Sequence, residues 1–184
     1  IVQRLNGMNW LHRVRRGLSL RHYLRSEYGN FILSLIRSRL AQHIVYQSRF
    51  SQDWWQRVYG PVPASDSVVY NGVDLEVFSP EGPQERPADR CRILLVEGSL
   101  MGGYELGLET AVRLAEGLSE RLSQTDPMLF TGGVELMVAG RVSEEVCRTW
   151  DAKSAAPLVW TGLVRHEEIP ALDRSAHLLY SADI

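Results

Sequence analysis

Residues 92–98 read RILLVEG and residues 134–140 read VELMVAG, and these two stretches decide the fold. Each is a short apolar run that ends on a glycine, and the first is followed by a glycine-bearing turn and a helical pattern. Apolar run, glycine turn and helix, in that order, predict a parallel α/β sheet. In such sheets a ligand lies beyond the carboxyl ends of the strands, where glycine lets backbone N–H groups approach it. The pattern therefore predicts a site for a phosphate-bearing small molecule at residues 98–105.

The composition excludes several classes of protein. The chain has 184 residues, of which 45% are hydrophobic, enough for a packed core. No run approaches the roughly 18 apolar residues that a membrane-spanning helix needs. Cys91 and Cys147 provide neither a disulfide framework nor the spacing of a metal site, and the five histidines show no metal spacing. We therefore expect a protein of a reducing, cytoplasmic compartment that holds no metal ion.

The two ends of the chain carry opposite charge. Residues 1–50 hold nine arginines and one acidic residue, Glu27, whereas the remainder carries a net charge of −10. Within the basic part, residues 10–25 interleave arginines with aromatic and aliphatic residues. This mixture is typical of a contact with a membrane surface or another anionic partner. The alternative is a solvated face that pairs with the acidic second part of the chain.

Helical and extended patterns alternate along the chain and predict two domains. In the first, a helix is predicted over residues 30–42, buried along the stripe of Phe31, Leu35, Ser38 and Gln42. Strands are predicted at 43–47 and 67–70, with a helix over 53–58 between them. Residues 78–87 carry three prolines and mixed charges, a linker composition. The predicted division is a first domain at 1–80, a linker at 81–89 and a second domain at 90–184.

The second domain repeats the alternation of strand and helix. Strands are predicted at 92–97, 134–139, 157–162 and 177–180, and helices at 104–122, 141–150 and 167–171. The predicted fold class is α/β, with two Rossmann-like parallel-sheet domains that are both incomplete in this chain, because a parallel strand normally returns through a crossover helix.

Landmarks in order along residues 31–184 resemble the family-4 glycosyltransferases, a retaining group built on two facing Rossmann-like domains, the GT-B fold. The most specific landmark is VVYNGVD at 68–74, followed by Phe78 and Pro80, which in the family leads from the acceptor-side domain into the donor-side domain. The others are HIVYQS at 43–48, the Gly98 loop, VAG at 138–140, WTGLV at 160–164 and SAHLLYSAD at 175–183.

The resemblance implies transfer of a sugar from a nucleotide-diphosphate sugar to a glycan or lipid-linked acceptor, without metal ion or cofactor. It also implies a peripheral contact of segment 10–25 with the inner face of the plasma membrane, and no nucleic acid partner. As the glycosidic bond breaks, negative charge grows on the departing diphosphate and must be met by backbone N–H groups, helix N-termini and cations. The implied donor-binding residues follow three strands: Gly98, Ser99, Gly102, Gly103, Tyr104, Gly140, Arg141, Gly162, Leu163 and Val164.

The chain departs from the family pattern at two places. The family has an arginine after the first loop glycine and a lysine some five residues later, where this chain has Ser99 and Tyr104. Arg141 is a candidate substitute for these cations. The family's pair of glutamates that hold the donor would lie beyond Ile184. The resemblance therefore implies an internal or truncated fragment that is inactive alone, and it assigns no catalytic residue.

Two other functions share these features. A non-catalytic binding or scaffold module of the same fold would account for the missing cations. A nucleotide-sugar epimerase would share the two-domain architecture and the donor.

Overall fold

The computed structural model describes residues 1–14, 19–101 and 105–181. Contacts divide the chain into two compact units, Ile1–Val73 and Asp74–Ile184. This division falls before the predicted linker at 81–89, because residues 79–82 pack within the second unit. There the guanidinium of Arg174 donates to the carbonyl of Ser79 at 3.1 Å and lies against Gly82.

Unit 1 has a three-stranded parallel sheet. Its elements are β1 (Val2–Leu5), α1 (Leu11–Val14), α2 (Leu20–Arg39), β2 (His43–Tyr46), α3 (Arg49–Tyr59) and β3 (Ser65–Val68). The strand order is β1-β2-β3. Alternate residues of β1 and β2, namely Leu5, Ile44 and Tyr46, are fully buried and pack with Trp55 of α3. Ser48 and Ser51 form a capping box that starts α3 directly after β2.

The burial of α2 differs from the prediction. The helix begins at Leu20, where Ser19 caps it, and ends at Arg39 rather than at Gln42. Its buried residues are polar, Ser26, Asn30 and Arg37, whereas Phe31 and Leu35 are 58% and 42% exposed. The predicted buried stripe is therefore wrong. Asn30 hydrogen-bonds the backbone of Asn9, and Arg37 donates to Tyr46 and Gly60, and these bonds hold that side of the helix inward.

Unit 2 has a four-stranded parallel sheet. Its elements are β4 (Cys91–Ser99), α4 (Glu105–Thr125), β5 (Val134–Arg141), α5 (Glu144–Lys153), β6 (Leu158–Gly162), a 3₁₀ turn (His166–Glu168), α6 (Ile169–Arg174) and β7 (Leu178–Tyr180). The order is β6-β5-β4-β7. The α/β fold class with two Rossmann-like parallel sheets is confirmed.

The sheet of unit 2 buries apolar residues on both faces. Ile93 and Leu95 of β4 pack with Leu136 of β5 and with the buried side of α4. Leu94 and Met137 point to the other face, where they meet Leu172 of α6. Burial on both faces explains why these strands are continuous apolar runs in the sequence rather than alternating patterns.

Candidate functional site

The structure brings the glycine-tipped strand ends of unit 2 to one edge of the sheet. Ser99 of β4 lies opposite Arg141 of β5, and Ala139 of β5 lies opposite Gly162 of β6. All three strands run parallel, so these are their carboxyl ends. Of the residues that the sequence predicted from three separate loops, Gly98, Ser99, Gly140, Arg141 and Gly162 thus lie at one edge of the sheet.

Gly98 lies at an irregularity of β4, where the pairing with β5 shifts between Val96 and Ser99. Its backbone has no positive φ, and a Cβ added there would meet no atom of residues 1–14, 19–101 or 105–181 within 4 Å. The described residues therefore leave the space in front of Gly98 open. Both Gly98 and Ser99 are exposed, whereas the next residue, Leu100, is buried and donates its N–H to the carbonyl of Arg141 at 2.9 Å. The end of β4 is thus held by the buried Leu100 and its backbone hydrogen bond to β5, next to the exposed Gly98.

Gly140 is a glycine for a different reason. Its φ is 150°, and an added Cβ would lie 2.0 Å from the carbonyl oxygen of Glu97 on the neighbouring strand. Because glycine has no side chain, β5 can lie this close to the carbonyl of Glu97. Packing explains this glycine, and a direct contact of Gly140 with a ligand stays a prediction.

Arg141 is the cation of this edge. It is exposed, it lies across from Ser99, and no carboxylate of residues 1–14, 19–101 or 105–181 forms an ion pair with it. A guanidinium offers five N–H donors in a planar fork, which suits a phosphate. The structure therefore places a cation opposite Ser99, the residue that follows Gly98.

The residues at the end of β6 differ in their exposure. Gly162 has a φ of 70°, and an added Cβ would meet nothing within 4 Å. Leu163 is 60% exposed, whereas Val164 packs against the cluster of Leu94 and Met137. Of the predicted residues after β6, Gly162 and Leu163 are open to a ligand, and Val164 supports the sheet.

Strand order adds a feature that the sequence reasoning missed. The chain proceeds outward from β4 to β5 and β6, and then returns to the other side of β4 with β7. The reversal between β4 and β7 is a topological switch point, where open α/β sheets bind ligands at the carboxyl ends of the strands. Gly98 lies on one side of this point, and Tyr180, the last residue of β7, and Ser181 after it lie on the other. Only knowledge of which edge β7 joins could have identified them.

The remaining predicted residues, Gly102, Gly103 and Tyr104, lie outside the described residues. The helix that follows them begins at Glu105, directly after the loop from β4. Its N-terminus belongs to the same edge of the sheet, because the chain leaves β4 at that edge.

Two cavities in unit 2 lie away from this edge. One, of about 580 Å³, lies between α4 and residues 155–156, which precede β6 and so mark the amino-terminal edge of the sheet. The other, of about 460 Å³, lies on the sheet face opposite α4 and reaches Val164. Volume alone would favour the first cavity. We favour the glycine-tipped edge, because ligands of parallel sheets bind at the carboxyl ends of the strands.

Unit 1 places segment 10–25 in two helices. Residues 10–14 and 19–25 are described, and they belong to the end of a loop, to α1 and to the first turns of α2. Arg13 of α1 lies over the ring of Trp10, 4.7 Å from its centroid, and donates to Glu27 of α2. His12 is buried and hydrogen-bonds the same carboxylate at 2.8 Å. Part of the basic segment therefore joins two helices.

No group of three or more His, Cys, Asp or Glu side chains within the described ranges could hold a metal ion. Likewise, no described helix is both long and apolar enough to cross a membrane. A scan of the chain against models of known protein families found no match, and a search of curated proteins found none either.

Proposed function

We propose that this chain is a nucleotide-sugar-binding part of a glycosyltransferase of the GT-B kind, with unit 2 as its donor side and unit 1 as its acceptor side. One observation carries the proposal. The open glycine of β4 lies at the switch point of a parallel sheet, and an exposed arginine lies on the neighbouring strand. The ordered landmarks from 31 to 184 point to the same activity.

The carboxyl edge of the unit 2 sheet suits a nucleoside diphosphate because of the charge that this leaving group acquires. A nucleoside diphosphate that departs from a sugar gains negative charge, which donors already in place stabilise best. Gly98 lets backbone N–H groups approach the diphosphate, and the N-terminus of α4 adds the positive end of a helix dipole. Arg141 would supply the fixed cation that Ser99 and Tyr104 do not. The donor would thus bind without a metal ion.

A non-catalytic binding module of the same fold is the second candidate. Serine at 99 and tyrosine at 104 favour it, because a transferase of this family uses cations at both places. Such a module would bind the nucleotide diphosphate at the same edge and leave the sugar bond intact.

Calorimetric titration of the full chain with uridine and guanosine diphosphates tests the proposal. We expect binding of one of them, and affinity about tenfold weaker or worse in Gly98→Val, whose side chain would fill the space in front of the strand end. Arg141→Gln should weaken binding of the diphosphate by a similar factor and leave binding of the unphosphorylated nucleoside unchanged.

Gly117→Ala serves as a control for the other location, because Gly117 lines the larger cavity beside α4 and an added Cβ there meets no described atom within 4 Å. It should bind as the unmodified chain does. Failure of the unmodified chain to bind either diphosphate at about millimolar concentration would reject the proposal. Binding that Gly98→Val leaves intact would reject this site.

A further inference from the structure

The side chain of His177 joins β7 to β4 at the point where the two strands begin to pair. Its Nδ1 accepts a hydrogen bond from the backbone N–H of Arg92 at 3.1 Å, and the backbone N–H of His177 donates to the carbonyl of Arg92 at 2.9 Å. In a regular parallel sheet that first N–H would donate to a backbone carbonyl of the neighbouring strand. Here an imidazole nitrogen replaces the carbonyl, one residue before Ile93 pairs with Leu178. Because an N–H group only donates, Nδ1 is unprotonated in this structure.

The groups that act on the His177 ring are positively charged or apolar. Arg92 of β4 and Arg86 of the segment before β4 act on it through their charges. The ring of Phe130, in the loop between α4 and β5, meets it edge-on with 5.1 Å between the centroids. A proton added to the imidazole would therefore enter a partly apolar and already cationic environment.

The carboxylates of the neighbouring elements are engaged by other groups. Glu135 of β5 is 4% exposed and pairs with Arg92 at 2.6 Å and with Arg90 at 3.3 Å. Asp173, near the end of α6, lies in the field of the adjacent Arg174. No carboxylate of residues 1–14, 19–101 or 105–181 hydrogen-bonds the imidazole. A protonated ring would thus gain no ion pair to replace the bond that it loses.

We propose that His177 makes the attachment of β7 to β4 dependent on pH, so that acid releases β7 while the rest of the unit 2 sheet stays paired. Protonation of Nδ1 removes the lone pair that accepts from Arg92 and turns a second hydrogen toward the same N–H. It also places a further positive charge beside Arg86 and Arg92. Little else holds the strand, because β7 has three residues and the side chains of Leu178 and Leu179 are 45% and 63% exposed.

The direction of the pH effect follows from the environment of the ring. Burial, and after it the charges of Arg86 and Arg92, lower the pKa of His177 below its ordinary value of 6.5. The attached strand therefore binds this proton less readily than the released strand, in which water surrounds the ring. The stabilisation of the attached state is complete above about pH 6.5 and is lost as the pH falls through the lowered pKa.

Release of β7 would alter the carboxyl edge of the unit 2 sheet. Tyr180 ends β7, and with Ser181 it lies on the β7 side of the switch point, across from Gly98. Acid would thus open this edge from one side. The proposal does not depend on the transferase activity, because the bonds between His177 and Arg92 are present whatever ligand the edge binds.

Amide hydrogen exchange of the full chain, followed by nuclear magnetic resonance at about pH 7.5 and about pH 5, tests this release. The rates are divided by the intrinsic exchange rate at each pH. We expect the protection of the backbone amide of His177 to fall about threefold or more at the lower pH. The amides of Leu136 and Val138 in β5 should keep their protection, which distinguishes release of β7 from unfolding of unit 2.

Three variants separate the imidazole from other causes. His177→Asn places an amide oxygen where Nδ1 lies, so that it accepts from Arg92 without titrating, and the protection of the amide at position 177 should no longer depend on pH. His177→Leu retains an apolar contact with Phe130 but has no acceptor, and it should show low protection at both pH values. His166→Asn is the matched control, because His166 is an exposed histidine of the same unit, and it should retain the pH dependence.

Protection at position 177 that does not change with pH in the unmodified chain would overturn the proposal. An equal fall in His177→Asn would overturn it as well, since another group would then be the one that titrates. So would an equal fall at Leu136 and Val138, because the whole unit would then be unfolding. Nucleotide titration at neutral pH is unaffected by these outcomes, so the proposed function stands or falls separately.

Discussion

Glycines end three neighbouring strands of unit 2, but the physical reasons differ from one to the next. Gly140 is required because the carbonyl of Glu97 occupies the place of its side chain and because its φ of 150° is unfavourable for other residues. Gly98 has neither constraint. No described residue requires a glycine at position 98, which supports the ligand approach proposed above for this edge.

This difference predicts opposite results for two alanine substitutions. Gly140→Ala should lower the free energy of unfolding of unit 2 by about 2–4 kcal/mol, because β5 must move away from β4 to admit the methyl group. Gly98→Ala should change it by less than about 0.5 kcal/mol, since the added Cβ meets open space. Urea denaturation measures both. Equal losses for the two variants would show that Gly98 also has a packing role.

At the scale of elements, helices α1 and α2 are joined by a carboxylate whose charge the fold stabilises. Arg13 of α1 donates to Glu27 of α2, and with a further hydrogen bond from His12 this lowers the pKa of Glu27 from 4.5 to about 2. The folded state therefore releases this proton more readily than the unfolded state does. The contribution to stability is complete above about pH 4.5 and is lost as the pH falls toward about 2.

Replacing Glu27 should change how the free energy of unfolding depends on pH in acid solution. Glu27→Gln should be less stable than the unmodified chain by about 1 kcal/mol at neutral pH, a modest value because the carboxylate is partly exposed. Between pH 4.5 and about 2 the two stabilities should converge. Denaturant unfolding at a series of pH values measures the difference, and a difference that stayed constant over that range would contradict the pKa shift.

The sequence predicted the strands of unit 2 well, whereas it displaced β3 by two residues and misjudged the outer side of α2. Runs such as 92–98 hold an unbroken apolar stretch, Ile93 to Val96, and end on glycine, so their approximate extent and buried state follow from local pattern. For α2 the helical spacing of the apolar residues was recognised correctly. Such a spacing locates an apolar stripe, but it does not show whether the stripe faces the core or the solvent. The buried side of the helix is fixed by Asn30 and Arg37, whose partners Asn9 and Tyr46 are set by tertiary structure.

The same distinction holds for the candidate site. Gly98, Arg141 and Gly162 could be proposed because each directly ends or follows a recognisable strand. Tyr180 and Ser181 could not, since their place at the switch point depends on β7 pairing with β4 rather than with β6. Strand order is a long-range property that the local composition of β7 does not encode.

At the scale of the whole molecule, the chain consists of two units that each have a sheet and a core of their own. Trp55 is fully buried in the core of unit 1, and Trp160 packs at the core of unit 2. Units with separate cores can unfold separately, so that a single two-state description fails.

We therefore expect two transitions in equilibrium unfolding by urea. Gly140→Ala should shift only the transition of unit 2, because its strain lies between β4 and β5. Tryptophan fluorescence and far-ultraviolet circular dichroism, recorded on the same samples, should give midpoints that do not coincide. A single transition that all probes share, and that Gly140→Ala moves as a whole, would show that the units unfold as one.

The close approach of Gly140 to Glu97 also protects the sheet against slippage. If β5 moved along β4 by one residue, Ala139 or Arg141 would face that carbonyl, and either Cβ would collide with it. Pairing is thereby restricted to a single alignment. The backbones of Arg141 on β5 and of Gly98 on β4 consequently keep a fixed separation, which would pre-organise this edge for the ligand proposed above.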